Sequence, residues 1–157
     1  MTLYHASKAM IEFPGIQKTK YTKDFSWGFY CTSDLEQAVR RANRREGDMV
    51  INCYSYESVG KLSILKFDQM TDEWLDFIAK CRSGQIHSYD IVEGPMVDDT
   101  IWNYVNDYLS GRITRKQFWT LAGFRPPTYQ ISFHTLSALD CLTYLPVALA
   151  ERIRVSS

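Results

Sequence analysis

Short strand-like and helix-like stretches follow one another without a regular period, the strands gathering early in the chain and the helices centrally. That order constrains the fold more than any other feature, because a doubly wound parallel sheet needs strand and helix to alternate strictly. It predicts an α+β fold. Leu3 to His5 reads as an opening strand, and Ile11 to Lys23, which holds Pro14, Gly15 and several lysines, as a loop. Gly28 to Thr32 makes a second strand. Ser33, with Glu36 three residues later, forms a capping-box pattern for a helix whose apolar side holds Leu35, Ala38, Val39 and Ala42, ending at Gly47. Met49 to Tyr54 and Leu62 to Phe67 are β-like runs.

Farther on, Thr71 is placed to cap a helix over Asp72 to Arg82, with Gly84 as its stop. Tyr89 to Val92 reads as a short strand stopped by Gly94-Pro95. Asp98 caps a helix running to Gly111, and Thr114 to Ala122 makes another. Pro126-Pro127 breaks the chain before a strand over Tyr129 to Phe133. Thr135 to Leu145 then returns as a helix, and Val147 to Val155 supplies a last strand.

The chain has 157 residues, no composition break and no repeat, which predicts a single domain able to fold around one core without a disulfide or metal. Eighteen basic residues balance eighteen acidic ones, so no global field draws the protein to nucleic acid or to an anionic membrane. Cys31, Cys53, Cys81 and Cys141 form no C-x-x-C pair, and the first residues lack the pattern of a signal peptide. With no apolar run of membrane-helix length, the expectation is a cytoplasmic protein with reduced thiols.

Several function classes lack their signatures. There is no G-x-G-x-x-G fingerprint and no phosphate loop ending in Gly-Lys-Ser/Thr. His5, His87 and His134 stand outside any metal-ligand spacing, so no metal is expected. Arg40, Arg41, Arg44 and Arg45 crowd one helix end. Their plainer reading is a solvated face whose cations complement the helix dipole, and their sharper reading is contact with a polyanion. The stretch DFSWGFYCT packs Phe25, Trp27, Phe29 and Tyr30 around Gly28, which suits either a buried strand edge or a flat wall for a flat ligand.

Four pieces in order, YHAS near the start, DFSWGFYCT, YDIVEGPMVDD in the middle and QISFHT near the end, give nearly the whole chain a family likeness. It resembles a bacterial family of uncharacterised domains grouped with the ADP-ribosyltransferases. The resemblance implies a split, mixed β-sheet flanked by helices, with NAD as substrate in the cleft between the half-sheets. It assigns the three strand positions of the His-Tyr-Glu type to His5, Tyr30 and Gln130. Ring stacking on nicotinamide falls to Tyr30, a ribose hydrogen bond to His5, and further NAD contacts to Tyr4, Ala6, Ser7, Gly28, Phe29 and Thr32. Two departures stand out: Ser26 where the family usually has glycine, and Gln130 where characterised transferases have glutamate. A neutral amide orients a hydroxyl but cannot remove its proton, which turns attention to Glu93, Asp98, Asp99 and His134 as nearby groups in the pattern. The implied activity is mono-ADP-ribosylation of a protein or nucleic acid acceptor, toxin-like in character and restrained by an antitoxin-like inhibitor protein. The alternatives are NAD hydrolysis and a catalytically inactive module that binds NAD, ADP-ribose or a partner.

Overall fold

The computed structural model describes residues 1–18, 23–123 and 128–146. In chain order the elements are β1 (Thr2–Ser7), β2 (Phe29–Cys31), α1 (Leu35–Asn43), β3 (Val50–Tyr56), β4 (Ile64–Lys66), α2 (Asp72–Arg82), β5 (Ile91–Met96), α3 (Asp99–Leu109), α4 (Arg115–Ala122), β6 (Thr128–Phe133), α5 (Leu136–Leu139) and β7 (Leu142–Leu145). The architecture is α+β, with two sheets among the described residues. One is antiparallel throughout, in the order β1-β3-β7; the other has the order β2-β6-β5-β4 and is mixed, because β4 and β5 run parallel.

A backbone bridge joins the sheets. Tyr4 N–H donates to the Thr32 carbonyl (2.8 Å), and Thr32 N–H donates to the Tyr4 carbonyl (3.0 Å). Three apolar clusters then set the layers. Leu3, Phe29, Tyr54, Ile91, Ile131 and Phe133 pack together, drawing on both sheets. On the other side of the mixed sheet, Tyr30 and Val92 join Trp74, Leu75 and Ile78 of α2, Ile101 and Val105 of α3, and Phe118 of α4. Helix α1 closes the outer face of the antiparallel sheet, with Ala38 and Ala42 on Ile51 and Cys53. Each large side chain removed from water in these layers contributes roughly 1.5–3 kcal/mol against the entropy of ordering the chain.

This layering explains the aromatic stretch. Successive strand residues point to opposite faces, and here both faces are covered: Phe29 and Cys31 enter one cluster while Tyr30 enters the other with Phe25. The strand part of the stretch, Phe29–Cys31, is buried on both sides.

Helices α2, α3 and α4 start where their caps predict. Thr71 accepts from Trp74 N–H, Asp98 accepts from Thr100 and Ile101 N–H, and Thr114 and Gln117 cap each other reciprocally. Helix α1 begins one residue later than its pattern suggests, because the Asp34 carboxylate, not Ser33, accepts from Glu36 (2.9 Å) and Gln37 (3.2 Å). Leu35, expected on the apolar side, is exposed, and Gln37 is buried in its place. Strand β5 runs through Gly94-Pro95 to Met96. Proline is tolerated there because β4 pairs only as far as Glu93, leaving that side of β5 without a ladder partner. The helix expected from Thr135 to Leu145 lasts only to Leu139, and Leu142 to Leu145 instead completes the antiparallel sheet against β3. The proline break at 126–127 and the tail strand from 147 lie outside the described residues.

Gly94 faces Gln130 across β5 and β6, and a Cβ on it would lie 3.1 Å from Phe67 Cβ and 3.4 Å from the Phe25 ring. Gly94→Ala should therefore destabilise the fold by about 1 kcal/mol through overpacking, read as a lowered denaturant midpoint at unchanged m-value.

Candidate functional site

A cavity of about 450 Å³ opens beside the junction of the sheets. Strand β1 brings Tyr4, His5, Ala6 and Ser7 to its wall; β2 and its flanks bring Gly28, Phe29, Tyr30 and Thr32; β6 brings Gln130. All nine residues singled out by the resemblance line this one cavity.

His5 is fixed on two sides. Its Nδ1–H donates to the Tyr30 carbonyl (2.6 Å), and its ring stacks on Phe29 at 4.3 Å. A carbonyl only accepts, so Nδ1 carries the proton and Nε2 is left as an acceptor. Burial first, and the charges of Lys23, Arg41 and Arg45 after it, lower the ring's pKa to about 4 despite the carbonyl contact. At neutral pH His5 is an uncharged acceptor, suited to a sugar hydroxyl.

Tyr30 is 4% exposed, and its hydroxyl is turned to the protein interior. It accepts from Phe25 N–H (3.1 Å) and donates to the Ser26 carbonyl (2.5 Å), so the phenol anchors the loop that precedes its own strand. Burial, and then the Asp24 charge, holds that phenol well above its ordinary pKa. Its ring packs in the core between Phe25 and His134, and the cation of Lys23 lies over it, Nζ 4.9 Å from the centroid. Ser26, the departure from the expected glycine, has φ +77°, so a serine occupies the left-handed conformation that glycine takes without strain.

Gly28 has a reason beyond ligand approach. A Cβ there would lie 2.7 Å from His134 Nδ1 and 2.8 Å from the Phe133 carbonyl. His134 is held by the Trp27 carbonyl (2.8 Å) and Ser132 Oγ (2.7 Å), and rests edge-on against His87 at 4.4 Å. It is a structural support. Asp98 is likewise spent on capping α3, and Glu93 lies in the β5 ladder opposite Ile131.

The carboxylate beside Gln130 is Asp24, the first residue of DFSWGFYCT. Gln130 Nε2 donates to Asp24 Oδ2 (3.2 Å), which also accepts from Val97 N–H (3.0 Å), while Oδ1 is paired with Arg82. Sequence reasoning missed Asp24, although the residue stands inside its own key motif. It missed Lys23 as well, and treated the arginine run as one group. The arginine run divides: Arg40 pairs at the surface with Asp34 and Glu36, whereas Arg41 and Arg45 line the cavity with Lys23. These three residues are exposed overall, yet desolvation and then mutual repulsion lower the Lys23 and Arg41 pKa values. Among the described residues, no acidic residue lines the cavity. The wall is polar, aromatic and cationic, a chemistry matched to an anionic ligand with flat rings.

Among the described residues, no cluster of His, Cys, Asp and Glu is placed to hold a metal, and no helix is long and apolar enough to cross a membrane. A family model described as a protein of unknown function, DUF3990, matches residues 1–144. The chain belongs to that family. No curated protein and no solved structure matched it.

The geometry of this DUF3990 site bears on stability in two ways. Tyr30→Phe removes the partner of a buried N–H and a buried carbonyl, and should cost about 1–3 kcal/mol in chemical denaturation. The other effect is one of pH. Burial holds His5 and His134 at about 4, below the ordinary 6.5, so between those values the unfolded chain binds protons that the fold refuses. Stability should fall as pH drops from 6.5 towards 4, by at most about 1.4 kcal/mol per pH unit for each histidine. His5→Gln should flatten that slope in denaturation series across the window.

Proposed function

We propose that this DUF3990 protein is an ADP-ribosyltransferase-like enzyme that cleaves NAD and passes ADP-ribose to one group on a protein or nucleic acid. The observation that carries the reading is convergence: His5, Tyr30 and Gln130, which stand on three strands far apart in the chain, line one cavity together with Lys23, Arg41 and Arg45. Core packing alone does not require that set at one wall. The volume, about 450 Å³, lies in the range of small-molecule sites, roughly 300–1,000 Å³.

In this reading the three cations take the dinucleotide's diphosphate, and His5 Nε2 accepts from a ribose hydroxyl. Lys23 leaves the Tyr30 ring for the diphosphate, and the cationic pyridinium takes its place against that ring, which suits a positive charge. The bond between the nicotinamide nitrogen and ribose C1′ then breaks, its electron pair leaving with nicotinamide. Positive charge spreads over C1′ and the ring oxygen, as in glycoside cleavage. A lone pair of the acceptor closes on C1′ and the acceptor's proton departs to solvent or a group of its own. Gln130 orients a hydroxyl and takes no proton, so a self-activating acceptor fits best, and chain elongation is disfavoured. A toxin-like role with an inhibitory partner belongs to the same reading.

A second reading, a binding module without turnover, draws on the same lining: among the described residues no carboxylate lines the cavity to act as a base. One experiment separates the readings. The protein is incubated with NAD labelled in the adenylate and a cell lysate, and NAD affinity is measured by calorimetry. Label on macromolecules that is lost in His5→Ala supports transfer, free ADP-ribose alone supports hydrolysis, and binding without turnover supports the module. Arg41→Ala with Arg45→Ala should weaken NAD binding about tenfold or more and flatten its salt dependence. Absence of NAD binding by the wild-type protein overturns transfer and hydrolysis and leaves only a module for ADP-ribose or a partner.

A further inference from the structure

The side chain of Gln130 has a defined sense. Asp24, 6% exposed, offers only acceptors, so the end of the amide that meets it must be the N–H₂. The carbonyl oxygen Oε1 makes no hydrogen bond among the described residues, yet it is not a buried atom left without a partner. Gln130 lines the cavity and Asp24 does not. The cavity therefore meets the carbonyl end.

We propose that Asp24 is a positioning residue for the cavity: locked by Arg82 and the Val97 amide, it holds Gln130 so that Oε1 faces the ligand, and it makes glutamine the fitting residue at position 130. The proposal deepens the NAD-cleaving reading and rests on it for the identity of the ligand. A glutamate at that position would set a second carboxylate about where the amide now donates, 3.2 Å from Asp24 Oδ2. Two carboxylates at that distance, buried together, share one proton. The site thus already holds a negative charge, one residue behind the cavity wall and neutralised from the far side by Arg82 on α2. Arg82 is itself clamped, with its guanidinium carbon 3.4 Å above the Trp102 ring. The other titratable groups facing this pair are Cys81 of α2, Tyr30 of β2, Lys23 beside Asp24, and Arg41 of α1.

The test uses Gln130→Glu, Asp24→Asn and the double variant, which keeps the wild-type net charge and moves the carboxylate to the cavity wall. Carboxyl carbon NMR titration of Gln130→Glu, with no ligand present, should show one group of the pair at least about one unit above the ordinary glutamate value of about 4.3. That raised group should vanish in the double variant. Asp24→Asn allows its new amide to donate to Oε1 and turn Gln130 round, so NAD affinity should fall about tenfold. In the double variant the introduced amide donates to the introduced carboxylate and leaves an acceptor facing the cavity, so affinity should recover to within about threefold of wild type. A purely structural Asp24 gives no such recovery. Ordinary titration of both carboxyls in Gln130→Glu overturns the proposal, and so does unchanged NAD affinity in Asp24→Asn. If Asp24→Asn does not fold, the titration of Gln130→Glu decides alone. If the wild-type protein binds no NAD, the function proposed above fails, and the same titration still decides the role of Asp24.

Discussion

Two backbone hydrogen bonds between Tyr4 and Thr32 hold the site together. They are the seam between the antiparallel and the mixed sheet. By setting β1 beside β2, they bring the His5 ring to the Tyr30 carbonyl and the first strand's polar residues to the wall that Gln130 completes. Everything chemical about the cavity depends on that seam, since each sheet alone carries only part of the set. The hydrogen bonds are ordinary in strength, and the apolar residues that both sheets contribute to one cluster keep them in register.

Around the seam, polar groups are tied down by acceptors and donors of fixed kind. The Tyr30 hydroxyl binds its own upstream loop, His134 binds the Trp27 carbonyl, and Asp24 binds three donors from three segments. The result is a preorganised pocket with a neutral histidine and a set of cations repelling one another. Such a pocket gives up some stability when free and recovers it on meeting an anion, a common arrangement for binding sites.

Much of this was legible in the chain. Helices α2, α3 and α4 announce themselves through Thr71, Asp98 and Thr114, because a cap is a local interaction between residues two or three apart. That positions of β1, β2 and β6 would meet at one cavity was legible through motifs. What was not legible depends on tertiary contact. Leu142 to Leu145 is drawn into a strand by the open edge of β3, which no local pattern reveals. Gly94-Pro95 continues a strand because β4 happens to be short. The cavity role of Arg41 and Arg45, as opposed to Arg40, depends on how α1 lies against β1, and Asp24 meets Gln130 only after the chain has crossed the domain.

The pairing of β7 with β3 has a consequence for how the molecule is made. The sheet that carries His5 has its middle strand early in the sequence and its last strand at Leu142–Leu145. During synthesis β3 must wait, with a row of unsatisfied amides and carbonyls, until the whole stretch between Tyr56 and Leu142 has left the ribosome. Closing so distant a ladder is slow, and the interval in which that edge stays open is when the nascent chain is most susceptible to adhering to its neighbours.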